Sequence, residues 1–104
     1  MKHGAIHIPA DRLAAFCTKW KVAELSLFGS VLREDFGPES DVDVLVSFLA
    51  NAHVTLLGFV AMERELSVLF GRRADLVMRD AITEHPDDPR TRDILSTAEV
   101  LYAA

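Results

Sequence analysis

The sequence predicts an α+β domain, a mixed sheet with helices packed on it. Three observations predict it. Val42, Val44, Val46 and Phe48 form a strict every-other-residue apolar set, the period of a strand with one face in a core. Leu13, Phe16, Cys17 and Trp20 recur at helical spacing. Segments of these two kinds then alternate along the chain, which is the pattern of a sheet with flanking helices. The 104 residues suit one domain over 1–104, and with 50% of them hydrophobic a core can form without disulfides or a structural metal.

Taken in order, residues 1–6 read as a loose lead-in. Pro9 suits a helix start, where its missing N–H would be unpaired anyway, so the first helix covers about 10–19 with one apolar face. Val22 to Phe28 is β-compatible and ends at Gly29-Ser30, after which a short helix over 30–36 is expected. Gly37-Pro38-Glu39-Ser40 is turn chemistry. The strand of Val42 to Phe48 follows, with Asp41 and Asp43 on the face opposite its valines. A longer helix over 54–70 carries Leu56, Phe59, Val60, Glu63 and Leu66 to Phe70, and Gly71 suits its C-terminal cap. Arg73 to Met78 reads as a further strand, with Asp75 between Ala74 and Leu76. Pro86 and Pro89 mark a polar loop. An amphipathic helix over 91–103 follows, with Ile94, Leu95, Ala98, Leu101 and Tyr102 on one side; such a stripe is core or a partner-docking face.

The formal net charge of -5 argues against a protein that grips nucleic acid through its phosphates, so nucleic acid is not expected as the direct substrate. Nucleotide binding through metal ions stays open, because the metals supply positive charge locally. No apolar run reaches the ~20 residues needed to span a bilayer, and the N-terminus has no secretory pattern. The lone Cys17, in an apolar stretch, reads as a buried thiol rather than a nucleophile. A cytoplasmic protein without membrane contact is expected. His3, His7, His53 and His85 show no metal-ligand spacing. Phe16 and Trp20, four apart on a helix, read as packing rather than base-stacking residues. Arg72-Arg73 is either solvated charge or a phosphate or partner contact.

The informative stretch is Gly29-Ser30 followed, ten residues later, by Asp41-Val42-Asp43. Two aspartates one residue apart on a strand point to the same face, where like charges raise each other's pKa unless a cation sits between them. Mg2+ is a hard ion that takes one or two carboxylates plus substrate phosphates, and two such ions can stabilise both the attacking and leaving oxygens of an in-line displacement. Gly29 and Ser30, between a strand and a helix start, offer outward N–H groups, close approach and a hydroxyl to a phosphate. Asp75 supplies a third acid on a later apolar strand.

Gly29, Ser30, Asp41 and Asp43 meet the Gly-Ser-(x)10-Asp-x-Asp signature of the DNA polymerase beta-like nucleotidyltransferase superfamily. Leu27-Phe28-Gly29-Ser30-Val31-Leu32-Arg33, Ser40-Asp41-Val42-Asp43-Val44-Leu45-Val46 and Ala74-Asp75-Leu76-Val77 resemble the small, stand-alone minimal nucleotidyltransferases (MNT), over roughly Ile8 to Tyr102. The resemblance implies the polymerase beta-like fold, with Asp41, Asp43 and Asp75 as metal ligands and catalytic acids, Asp75 doubling as general base. It implies two Mg2+ ions, ATP as substrate, and Gly29, Ser30 and Arg33 as the nucleotide-binding residues. Arg33 has a second reading, a surface ion pair with Glu34 or Asp35; many relatives carry glycine where Glu34 stands. Small MNT proteins often serve as the antitoxin of HEPN/MNT toxin–antitoxin pairs, and some add AMP to a tyrosine of the HEPN-type toxin. That implies a protein adenylyltransferase that acts on such a partner. Two alternatives remain: a catalytically silent antitoxin that inhibits by contact, and nucleotidyl transfer to a small molecule.

Overall fold

The computed structural model describes residues 2–3, 6–33, 37 and 40–104. A two-stranded hairpin comes first, β1 (Lys2–His3) against β2 (Ile6–His7), and Ile6 and Ile8 are buried. The expected loose lead-in is therefore anchored by these two isoleucines, whose side chains gain more in the core than in water. Helix α1 (Ala10–Trp20) buries Leu13, Phe16 and Cys17 and ends at Lys21 in the left-handed region. Strand β3 (Val22–Phe28) runs into a single 3-10 turn, Gly29–Leu32, in place of a helix over 30–36; positions 34–36 of that expectation lie outside the described residues.

In the expected turn, Gly37 and Ser40 are joined by two hydrogen bonds, Gly37 N–H to Ser40 Oγ and Ser40 N–H to the Gly37 carbonyl. Pro38 and Glu39 lie outside the described residues. Strand β4 (Val42–Phe48) follows, then α2 (Leu56–Phe70). Thr55 caps α2 by accepting from the Gly58 N–H at 3.0 Å, and Gly71, at φ 68°, ends it. Strand β5 (Ala74–Met78) leads into a short helix α3 (Arg79–Thr83).

The loop at Pro86 is present, but it is preceded by an unexpected helix, α3, and ends at Pro89, where α4 starts; the expected helix over 91–103 is two elements, α4 (Pro89–Thr97) and strand β6 (Glu99–Ala103). Asp88 caps α4 by accepting from the Arg90 N–H at 2.9 Å, with Pro89 in the first turn. Leu101 and Tyr102 reach the core from a strand, not from a helical stripe. The free edge of β3 decides this: pairing there satisfies a row of backbone groups that a continued helix would leave open.

The four main strands form one mixed sheet in the order β5-β4-β3-β6. β3 pairs antiparallel with β4 and β6, and β4 pairs parallel with β5. Leu25 lies opposite Val46, Leu27 opposite Val44, Val42 opposite Ala74 and Val44 opposite Leu76. These residues build one apolar face, on which Phe16 and Cys17 of α1 and Met62 and Leu66 of α2 complete the core. No described helix is long and apolar enough to cross a membrane.

Candidate functional site

Alternation fixes what the other face carries. Phe28 lies opposite Asp43, and Asp43 opposite Asp75, so both acids project from the face away from α1 and α2. Neighbouring strands are about 4.8 Å apart, which makes Asp43 and Asp75 immediate neighbours. Asp41 sits just before β4, exposed, two residues from Asp43.

Gly29 closes this end of the sheet. Its φ is 76°, and a Cβ placed on it would collide with Asp43 Oδ2 and lie 3.3 Å from Asp43 Cγ. The Asp43 carboxylate thus occupies the space that any other residue at 29 would need. Ser30 continues the turn, its carbonyl accepting from the Arg33 N–H at 2.9 Å. With one 3-10 turn instead of a longer helix, aligned peptide dipoles contribute little here.

Electrostatics ties the predicted acids together. Burial, then the charges of Asp75 and Asp41, push the Asp43 carboxyl up from its ordinary range, while Arg33 pulls it down. The charges of Asp75, Asp41 and Arg33 are therefore all felt at Asp43. Among the described residues no three His, Cys, Asp or Glu side chains stand close enough to hold a metal by themselves. The donors are nonetheless the hard oxygens that Mg2+ prefers, and an ion that keeps substrate phosphates and water in its shell needs only one or two of them. The residues fit such an ion.

The structure adds groups that sequence reasoning passed over. A cavity of about 590 Å³ opens beside Gly29, lined by Phe28, Leu32 and Arg33 on one side and by Arg90, Asp93 and Ile94 of α4 on the other. The Asp88-Pro89 cap signal would have placed α4 correctly; the periodic residues after it drew the helix too far. Arg72, read as solvated or phosphate-seeking, instead donates to the carbonyls of Gly37 and Ser40, the latter at 2.9 Å. Glu34 and Asp35, the alternative partners of Arg33, lie outside the described residues. Cys17 is buried, and burial pushes its thiol up to about 12, as suits a packing residue. Phe16 is buried and Trp20 packs against the core.

Over residues 12–101 the chain matches the nucleotidyltransferase domain family. It is 39% identical over 64 residues to the protein adenylyltransferase MntA of Thermococcus cleftensis; that stretch is 62% of this chain and 63% of the relative, so less than two thirds of the relative's length is spanned. A solved candidate minimal nucleotidyltransferase superposes with a TM-score of 0.64 at 26% identity, covering 89% of this chain and 87% of that one. A solved toxin–antitoxin with AMP-PNP superposes with a TM-score of 0.67 at 16% identity, covering 93% of this chain and 75% of that one, a likeness of fold alone. The glycine turn and all three acids fall inside the matched stretch, and the chain belongs to the nucleotidyltransferase domain family.

Proposed function

We propose that this protein is an Mg2+-dependent protein adenylyltransferase that acts as an antitoxin, moving AMP from ATP to a hydroxyl, that of a tyrosine, on a HEPN-type toxin. One observation carries the reading: Asp43 and Asp75 are in register on the open face of the sheet, with Gly29 shaped around the Asp43 carboxylate. Asp41 and Asp43, with Asp75, would hold Mg2+, which when bound would neutralise negative charge on the triphosphate oxygens. Gly29 and Ser30 would take phosphate oxygens, and Arg33 a further one. The cavity between the turn and α4 has the size expected of a small-ligand site and the mixed lining a nucleotide needs: Phe28, Leu32 and Ile94 for the base, Arg90 for negative charge. In the reaction the acceptor oxygen bonds to the α-phosphorus, the bond from that phosphorus to the bridging α–β oxygen breaks, and pyrophosphate leaves. Asp75, exposed on the edge strand, takes the proton of the acceptor hydroxyl.

The test is incubation with α-labelled ATP, Mg2+ and a lysate of the host, alongside an Asp41→Asn/Asp43→Asn double variant. A labelled protein band that disappears with the variant supports transfer. A second reading, inhibition of the partner by contact alone, draws on the exposed Leu56, Leu57 and Met78, an apolar surface that a partner could cover. It predicts that the double variant still neutralises the toxin and that no band is labelled.

A further inference from the structure

We propose that Glu63 and Ser67 of α2 are positioning residues that hold Asp75 at its working height, an inference that rests on Asp75 being the third acid of the transfer site. β5 is an edge strand of the sheet, and an edge strand has a row of backbone groups with no strand to pair with. Here that row meets α2. The Leu76 N–H donates to Glu63 Oε2 at 2.8 Å, and the Ala74 N–H donates to Ser67 Oγ at 2.9 Å. Ser67 Oγ in turn donates to the Glu63 carbonyl at 2.7 Å. The two bonds fall on the residues immediately before and after Asp75.

Their spacing is set by geometry. Four residues of helix rise about 6 Å, and two residues of strand about 6.6 Å, so side chains one turn apart on α2 meet alternate N–H groups of β5 in register. Accepting from a peptide N–H with a carboxylate is also stronger than the neutral equivalent. β5 is thereby fixed from both sides, by β4 through the ladder and by α2 through these side chains. The same helix end steadies the approach to Asp41, since Arg72 holds the carbonyls of Gly37 and Ser40. Removing a group that orients a metal-binding carboxylate typically costs 10–100-fold in metal affinity or activity.

The test compares Glu63→Leu, Glu63→Gln and Ser67→Ala with wild type in two assays: label transfer from ATP as a function of ATP concentration, and Mn2+ binding by paramagnetic titration. Glu63→Leu is expected to lower the rate at saturating ATP by about 10-fold or more, with KM for ATP changed by less than about 2-fold, and to weaken Mn2+ binding by about 10-fold. Glu63→Gln keeps an acceptor oxygen and is expected to restore both to within about 2-fold of wild type. Ser67→Ala shifts both in the same direction and decides the matter if Glu63→Leu does not fold. Wild-type transfer rate and Mn2+ affinity in a folded Glu63→Leu protein would overturn the proposal, as would a loss that Glu63→Gln fails to restore. If wild type itself transfers no label, the transfer reading fails, and Mn2+ binding alone decides the positioning role.

Discussion

At Asp43 the needs of the fold and of the site pull apart. The carboxyl is pushed up by burial and by Asp75 and Asp41, so the folded state holds its proton more tightly than the unfolded chain does. Folding stability from this group is therefore full below the ordinary carboxylate pKa of about 3.9 and is lost as pH rises through the raised value. Without divalent ions, Asp43→Asn is expected to melt higher than wild type at pH 7, with the gain gone at pH 3; thermal scans at the two pH values check this. The same variant is expected to lose label transfer, so stability and activity move in opposite directions. Gly29→Ala meets a left-handed φ and the Asp43 carboxylate together. Displacing a reacting group by about 1 Å can cost 10²-fold, and a drop of about that size in transfer rate is expected. Cys17, buried with its thiol pushed up to about 12, is expected to resist thiol reagents at pH 7 in the folded protein and to react on unfolding, as mass spectrometry would record.

Single elements show which signals in the chain were readable. Alternation of apolar residues placed β3 and β4, because it follows from burial of one face, and β5 was read from the apolar residues on either side of Asp75. Thr55 and Gly71 delimit α2 by chemistry local to its ends; Thr55→Ala is expected to cost about 1 kcal/mol in chemical denaturation. Ile94, Leu95, Ala98, Leu101 and Tyr102 misled because their spacing is helical, whereas the pairing of Leu25 with Tyr102 and of Leu27 with Glu99 is set by residues some 75 positions away. Local pattern carries no record of so distant a pairing. The acids and the glycine turn were legible as types and spacings. The contributions of Arg90 and Asp93 to the cavity, and of Glu63, Ser67 and Arg72 to the backbone around the acids, were not, because each depends on which elements become neighbours.

For the molecule as a whole, the sheet divides the labour: one face is buried under α1 and α2, and the acids occupy the other. Bringing three carboxylates to one sheet end is unfavourable until a cation joins them, so Mg2+ is expected to raise the melting temperature of wild type at pH 7 but not that of Asp41→Asn/Asp43→Asn. Saturation at a hundred times Kd corresponds to about 2.7 kcal/mol. The order β5-β4-β3-β6 also bears on how the protein is made. β6, which pairs with β3 on the side away from β4, follows α4 in the chain, and Glu99 at its start lines the cavity beside Gly29. Translation delivers residues at about 5–20 per second, N-terminal parts first, so a nascent chain stalled before residue 99 already carries its acids and its glycine turn but still has the β3 edge open. Such a ribosome-bound chain lacks the Glu99 wall of the cavity, which is added only when β6 pairs with β3.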